Sequence, residues 1–408
     1  MRKSRLLVLL LSAIVISLLV LSMAACEEEE ATTTTSATPA EPIKIGMMLD
    51  LQGFLAWTGT DNQKGMELAL EQVNYEVAGR EIDFIVEDCA SDAATTMDKF
   101  RKLVDTDQVD ILAGPVGGAG GAAISPAIEE AQIPKVELAP SEEVTIAQRE
   151  WTFAPHGSGA MYGFAVADYA YNDLGYRTAV GMASDFEAGH QFFGGFVTSF
   201  KAMGGQVLDE IYYPPGTTDF LPFFASLKEA DCFAPWWPGA DGLSGFPQYA
   251  ESGLTMPIIQ PEDGGLTASR EALKQIGEPA VGCIAGTLYT YLMDTPGNPE
   301  FVAAFEAKYG AKPGVFAGAG YATMQYILAV LESTNGDVTP EVLQTAMHEV
   351  RVDTVCGEVY FPNEENNIAV GRIAMLKVSE DLEPAVVKII KVNETHDAQW
   401  TPILSLVE

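Results

Sequence analysis

The sequence is poor in positive charge, in histidine and in cysteine. Its 408 residues include 23 Lys and Arg against 57 Asp and Glu, which gives a formal net charge of −34. A surface of that sign repels phosphate backbones, so nucleic acid is not an expected partner. Hydrophobic residues still make up 48 % of the chain, enough for packed cores in about two or three domains. We therefore expect an acidic globular protein and not a disordered one.

Catalytic and metal-binding patterns are absent as well. The four histidines form no HxH or HExxH spacing, and the five cysteines include no CxxC pair. Ser158 lies between glycines but misses the GxSxG elbow by one position. The sequence thus assigns no catalytic residue, no metal ligand and no cofactor, and it predicts a protein that is not an enzyme.

Only one long apolar run occurs, and it lies at the N-terminus between basic residues and Cys26. Residues 6–23 are apolar, and Ala24-Ala25 precede the cysteine. This order resembles a bacterial lipoprotein signal, so we expect residues 1–25 to be removed and Cys26 to carry lipid. An uncleaved membrane anchor is the alternative. Residues 26–42 are rich in Glu and Thr and are expected to form a disordered tether, which places the folded part outside the cytoplasm.

The four other cysteines leave two possibilities open. Export permits disulfide bonds, and four thiols allow three fully paired connectivities. Alternatively, all four are buried free thiols. The residues concerned are Cys89, Cys232, Cys283 and Cys356.

From Ile43 onwards, short apolar runs alternate with segments of helical periodicity. Ile43–Leu49 is a predicted strand, Met66 to Val73 a helix and Ile82–Val86 the next strand. The alternation resumes after Trp151 and includes a predicted helix whose apolar face runs from Phe220 to Leu227. Strand–helix–strand order of this kind predicts parallel sheets covered by helices. Because the units are too numerous for one modest sheet, we expect two α/β lobes.

A glycine-rich turn follows the predicted strand at residues 109–113. Gly118-x-Gly120-x-x-Ala123 fits a loose dinucleotide-binding pattern, but it follows the third strand instead of the first, and no GK[ST] accompanies it. The glycines leave backbone N–H groups accessible at a helix N-terminus, which suits an anion such as a carboxylate. A tight packing turn without a ligand is the alternative.

Two aromatic loops and one acidic loop also follow predicted strands. They contain Trp57, Trp236-Trp237 and Glu262-Asp263. In open α/β sheets ligands bind at the carboxyl ends of strands, so these loops are candidate parts of a small-molecule pocket. The alternative is that the rings fill the cores of their loops.

Several segments, taken in order, carry a resemblance to a known family. They are Ile43–Gly46, Gly65–Ala69, Val109–Pro115 and Tyr213–Phe220. From about Ile43 to Val392 the chain resembles the branched-chain amino acid type of periplasmic solute-binding protein of ABC transporters. The resemblance implies two doubly wound α/β lobes joined by three crossovers, which close over a ligand in the cleft. It also implies a monomer with an ABC permease as its membrane partner.

The resemblance divides the chain between the lobes and places the ligand site. One lobe would comprise residues 43–154 plus 290–350, and the other residues 155–289 plus 351–400. Glycines stand where the family often has serines, so that backbone N–H groups would hold the ligand's carboxylate. By matching motifs, the binding residues would be Trp57, Thr58, Gly117, Gly118, Ala119, Ala139 and Ser141 in the first lobe and Phe186, Trp237 and Glu262 in the second.

The ligand implied by this match is an amino acid or a related small carboxylate. Glu262 matches the acid that pairs with a ligand ammonium, whereas Phe186 stands where Tyr is usual. Together with the tryptophans and the missing serines, Phe186 favours the alternative of an aromatic acid. A receptor that senses a ligand for a signalling partner is a further alternative.

Overall fold

The computed structural model describes residues 41–140, 149–362 and 367–392. The predicted signal segment, the lipidation residue Cys26 and the site residue Ser141 lie outside these ranges. Within these ranges, no helix is both long and apolar enough to cross a membrane.

Strands and helices alternate along the described chain, as their apolar periodicity predicts. The strands are β1 (Ile43–Leu49), β2 (Glu76–Val77), β3 (Arg80–Asp88), β4 (Ile111–Ala113), β5 (Lys135–Val136), β6 (Thr152–Phe153), β7 (Thr178–Ser184), β8 (Gln206–Tyr213), β9 (Cys232–Trp236), β10 (Ile259–Gln260), β11 (Ile284–Thr287), β12 (Val352–Thr354), β13 (Gly357–Val359), β14 (Arg372–Val378) and β15 (Pro384–Lys391). The helices are α1 (Ala56–Gln72), α2 (Ala93–Arg101), α3 (Gly118–Ala131), α4 (Gly159–Asp168), α5 (Glu187–Ala202), α6 (Leu221–Phe224), α7 (Ala240–Glu251), α8 (Arg270–Ile276), α9 (Asn298–Tyr309), α10 (Val315–Ser333) and α11 (Pro340–Glu349).

The first lobe is built on a sheet with the strand order β2-β3-β1-β4-β5-β6. Every neighbouring pair is parallel except β2 and β3, which form a hairpin. The central strand β1 is apolar on both faces, and six of its seven residues are buried. Helices on both faces explain this, because a parallel sheet that is covered on both sides needs apolar residues throughout.

The second lobe is built on β8-β7-β9 and on β10-β11-β14-β15. A parallel bridge between Phe233 and Ile258 joins the two sets of strands beside β9 and β10. Strands β7 to β11 pair in parallel, whereas β14 and β15 add an antiparallel edge. The carboxyl ends of β7, β9 and β10 therefore lie side by side at one edge of this lobe.

The chain passes between the lobes at three places. It crosses from β6 to α4, from β11 to α9 and from α11 to β14, with the β12-β13 hairpin in the last connection. A parallel bridge between Ala154 and Ile368 ties the first crossover to the third. These observations confirm the predicted α/β class with two doubly wound lobes and three crossovers.

Two pairs of helices approach closely at glycines. A Cβ atom on Gly65 of α1 would lie 2.0 Å from the carbonyl oxygen of Ala317 in α10. A Cβ atom on Gly163 of α4 would lie 2.3 Å from backbone atoms of Phe192 and Phe196 in α5. Any side chain at these two positions would push its helix pair apart, so the glycines set the helix spacing within each lobe.

One predicted helix is much shorter than its pattern indicates. The apolar residues from Phe220 to Leu227 belong to the four-residue helix α6 and to the turns around it. Phe220 and Phe224 are buried against Trp237, so tertiary packing and not helical periodicity produces their spacing.

All four cysteines in the described ranges are buried free thiols, which settles the choice between disulfides and free thiols. Burial raises the pKa of the Cys89 and Cys232 thiols to about 12. Burial also raises the pKa of Cys283 and Cys356, so all four thiols are protonated and unreactive at neutral pH.

Candidate functional site

The glycine turn after β4 opens α3, as the sequence predicts. Its first backbone donors are already engaged by a buried side chain: Asp50 accepts from the N–H groups of Val116 at 3.2 Å and Gly117 at 3.0 Å. Asp50 also accepts from Ser91 N–H at 2.9 Å. In this arrangement the N–H of Gly117 is engaged by a carboxylate of the protein, and a contact between Gly117 and a ligand stays a prediction.

Asp50 was not identified from the sequence, although it directly follows β1 at the carboxyl edge of the sheet. Burial raises the pKa of its carboxyl group, and the three N–H donors oppose that shift. The sequence does contain a signal for Asp50. It is an acid that directly follows one strand, and a glycine turn follows the neighbouring strand β4. Its role is to order the turn that presents Gly118 and Ala119.

Gly118 and Ala119 begin α3 and are exposed. The nearest side chain to Gly118 comes from the other lobe: a Cβ atom on Gly118 would lie 2.2 Å from Oε2 and 2.6 Å from Oε1 of Glu187. Glu187 is the first residue of α5, directly after the β7 loop. The two strand-end edges thus face each other at this point.

Trp57 makes a second contact between the facing edges. It lies in the first turn of α1, with 43 % of its surface exposed, and its ring meets Phe316 edge-on at a centroid distance of 5.0 Å. A Cβ atom on Gly265 would lie 2.8 Å from this ring, and one on Gly239 would lie 3.6 Å away. Both glycines belong to second-lobe loops, so Trp57 is placed as an aromatic wall between the lobes.

The remaining first-lobe candidates are less accessible. Thr58 is buried and donates its hydroxyl to the carbonyl of Leu55 at 2.7 Å, so its side chain is committed to its own turn. Ala139 is half-buried and lies three residues after the end of β5. Only its position at the sheet's carboxyl edge supports a ligand contact.

On the second lobe, aromatic rings and an acid lie together. Phe186 packs against Trp236 at a centroid distance of 5.4 Å, and Trp236 stacks on Phe192 at the same distance. The indole Nε1 of Trp236 donates to Oε2 of Glu262 at 2.9 Å. The backbone N–H of Gly264 donates to the same oxygen at 2.9 Å, which fixes the orientation of the acid.

Glu262 and its neighbour Asp263 form a buried acid pair. Asp263 accepts from the N–H groups of Gly265 at 3.0 Å and Ala268 at 3.1 Å. Burial, followed by the adjacent Asp263 carboxylate, raises the pKa of Glu262 well above its usual range, and burial also raises the pKa of Asp263. Burial beside a second carboxyl group therefore favours the protonated form of Glu262.

Trp237 lies apart from this group, and its predicted contact with a ligand stays a prediction. Its side chain is fully buried in the aromatic core of the second lobe. Its neighbours there include Phe220, Phe233 and Phe246 at centroid distances of 6.0, 5.5 and 5.3 Å. Because successive residues of an extended chain point to opposite sides, Trp236 packs against Phe186 and Phe192, whereas Trp237 points into the core on the other side.

The facing loops carry acids and no cation. Residues 50–58, 114–118, 184–187, 236–241 and 260–266 contain no Lys or Arg. Lys135 of β5 is buried, and it is paired with Glu137, which directly follows that strand. Among the described residues, no group of three or more His, Cys, Asp or Glu side chains is arranged to hold a metal ion.

This geometry can be compared with known proteins. The sequence profile described as periplasmic binding protein matches residues 42–383. A relative from Brucella melitensis biotype 1 named Leu/Ile/Val-binding protein homolog 6 is 24 % identical over 307 residues, which cover 74 % of this chain and 78 % of that protein.

Solved structures share the fold over most of the chain. An ABC transporter substrate-binding protein from Sphaerobacter thermophilus is 31 % identical, covers 86 % of this chain and 98 % of its own, and superposes with a TM-score of 0.81. A solute-binding protein of an ABC transporter from Rhodopseudomonas palustris BisB5, in complex with 3,4-dihydroxybenzoic acid, is 24 % identical, with coverages of 86 % and 97 % and a TM-score of 0.77.

These proteins are binding proteins of transporters and not enzymes, which confirms the prediction of a protein without catalytic function. The resemblance noted in the sequence is likewise confirmed by the matched residues and by the shared fold. The chain belongs to the periplasmic binding protein family, and it is similar to relatives named for leucine, isoleucine and valine.

Proposed function

We propose that the protein is the extracytoplasmic receptor of an ABC importer and closes its two lobes on an amino acid or a related small carboxylate. In this proposal Cys26 carries the lipid that holds it at the membrane, and the receptor delivers its ligand as a monomer to a permease. The lobes would comprise residues 43–154 plus 290–350 and residues 155–289 plus 351–400, in keeping with the strand orders of the two lobes and the three crossovers.

The observation that carries the proposal is the meeting of two strand-end edges across the lobes. Trp57 of the first lobe reaches Gly265 of the second, and Glu187 of the second reaches Gly118 of the first. Ligand sites of open α/β sheets lie at such edges, and a hinge between two lobes can open and close them without any chemical step.

The residues at these edges support a small organic ligand with a flat or apolar part. Trp57 and Phe186 supply aromatic surface, the buried Trp236 packs against Phe186, and the buried Glu262 lies beside them. Pockets of this composition hold small molecules by apolar contact and orient them through a few polar groups.

An aromatic acid is the second candidate ligand, and the paired rings of Phe186 and Trp236 favour it. The relatives include a protein named for leucine, isoleucine and valine and another solved with a dihydroxybenzoic acid. Both ligand classes therefore belong in the same test.

A thermal-denaturation screen of the purified chain tests the proposal. The panel should contain the branched-chain and aromatic amino acids, benzoate and hydroxybenzoates, with simple sugars as negative controls. A ligand present at 100 times its dissociation constant should stabilise the protein by about 2.7 kcal/mol and raise the melting temperature by several degrees. If no amino acid or carboxylate raises it more than the sugars do, the proposed ligand class is wrong.

A small-angle scattering measurement should accompany the screen. A ligand that closes the lobes should reduce the radius of gyration or, if the free protein is already closed, leave it unchanged. An increase on binding would contradict closure around the ligand.

A further inference from the structure

The N-terminus of α3 faces a carboxylate that belongs to the opposite lobe. The two carboxylate oxygens of Glu187 lie so near Gly118 that a Cβ atom there would come within 2.2 and 2.6 Å of them. Backbone N–H groups at the start of a helix, together with the helix dipole, attract negative charge. The place that the sequence assigns to a ligand carboxylate is thus approached by a side chain of the protein.

Local contacts hold Glu187 in this position. Gln191, one helical turn further along α5, donates from Nε2 to Oε1 of Glu187 at 3.2 Å. Gly118 has no side chain, and this absence leaves the room that the Glu187 carboxylate uses. The glycine and the glutamate are therefore complementary across the cleft.

The surroundings would not favour a second anion at the same place. Asp50 already accepts from Val116 and Gly117 in the same turn. The facing loops contain no Lys or Arg that could offset an added negative charge. A solute carboxylate at Gly118 would lie near two carboxylates of the protein and would have to displace one of them.

We propose that Glu187 is a specificity residue of the solute site, which takes the position over Gly118 and disfavours solutes whose only charged group is a carboxylate. This inference rests on the proposed function, because it concerns the same cleft. Glu187 competes with a solute carboxylate, and its own charge adds repulsion at close range. A solute that also carries a positive group is disfavoured less, since that group is attracted by the same acids.

The test is calorimetric titration of the native chain, Glu187→Gln and Asp185→Asn with benzoate and with isoleucine. Glutamine keeps the size of the side chain and its contact with Gln191 but removes the charge. Asp185 is the matched control: it lies two residues earlier, is 58 % exposed and pairs with His190 instead of reaching across the cleft. Melting temperatures of all three proteins should be compared first to establish that each is folded.

We expect Glu187→Gln to bind benzoate at least about tenfold more tightly than the native chain, with a smaller gain for isoleucine. Asp185→Asn should stay within about twofold of the native chain for both probes. The inference is overturned if folded Glu187→Gln binds benzoate no better than the native chain, including the case in which neither protein binds it.

The outcomes separate this inference from the proposed function. If the native chain binds a carboxylate and Glu187→Gln does not improve that binding, only the role of Glu187 is wrong. If the native chain binds no amino acid or carboxylate but Glu187→Gln binds benzoate, the role of Glu187 stands and the proposed ligand class fails.

Discussion

The two edges of the cleft use buried carboxyl groups differently. In the first lobe Asp50 is surrounded by donors, and three backbone N–H groups point at it. In the second lobe Glu262 receives two donors but also lies against another acid, Asp263. A carboxyl group among donors orders the backbone around it, whereas an acid beside an acid retains a proton. A buried carboxyl group thus orders the backbone on one side of the cleft, whereas on the other side its protonated form is favoured.

The largest expected effect is a loss of stability. It distinguishes a core residue of the second lobe from an edge residue of the first. Trp237→Ala should lower the free energy of unfolding by about 3 to 5 kcal/mol, because it empties a position that is packed among aromatic rings. Trp57→Ala, at the half-exposed position of the first lobe, should cost far less stability and should weaken ligand binding instead. Urea denaturation and ligand titration of both variants provide the measurement. A stable Trp237→Ala protein that no longer binds ligand would restore Trp237 to the site.

The next prediction tests whether Asp50 orders the glycine turn at the edge of the first lobe. Asp50→Ala should reduce the free energy of unfolding by about 2 to 3 kcal/mol, because it leaves the N–H groups of Ser91, Val116 and Gly117 without their acceptor. Asp50→Asn keeps one acceptor oxygen and should lose less. Urea denaturation at one pH compares the two variants. Equal stability of Asp50→Ala and the native chain would mean that the glycine turn orders itself.

The third effect concerns the acid pair and is a change of stability with pH. The pKa of Glu262 is higher in the folded state than in the unfolded state. The contribution of Glu262 to the free energy of unfolding is therefore fully present below the unfolded pKa. That contribution is lost as the pH rises towards the folded pKa, by at most about 1.4 kcal/mol per pH unit for one proton.

Glu262→Gln cannot ionise, so its stability should fall less steeply than that of the native chain as the pH rises from 5 to 8. Denaturant unfolding at several pH values measures the two slopes. Parallel slopes would show that Glu262 has the same pKa folded and unfolded, and the contrast with Asp50 would then disappear.

The alternating pattern of the chain predicts most of the fold because apolar spacing is a local property. β1, β3, α5 and α10 follow directly from it. Helix α4 was not predicted, since all ten of its residues are buried or half-buried by packing against elements such as α5 and β11, and it shows no polar face. A helix that is apolar all round lacks the amphipathic signal.

The sequence predicts a site residue only where that residue lies at the end of a recognisable strand. Trp57, Gly118, Phe186 and Glu262 all lie at the carboxyl edges where the sequence places them. The choice between Trp236 and Trp237 depends on which face of β9 meets the core, and that is set by residues distant in sequence. The role of Asp50 likewise depends on a residue distant in sequence, since its partner Gly117 lies 67 positions away.

The four buried thiols give the described part of the protein an uncommon practical property. None of them is paired, and each is protonated within its core. The stability of the two lobes is therefore independent of an oxidant. A pair of cysteines introduced on the exposed rims of the lobes would react with thiol-directed fluorophores ahead of the native ones, so that energy transfer between the labels would follow the opening and closing of the cleft directly.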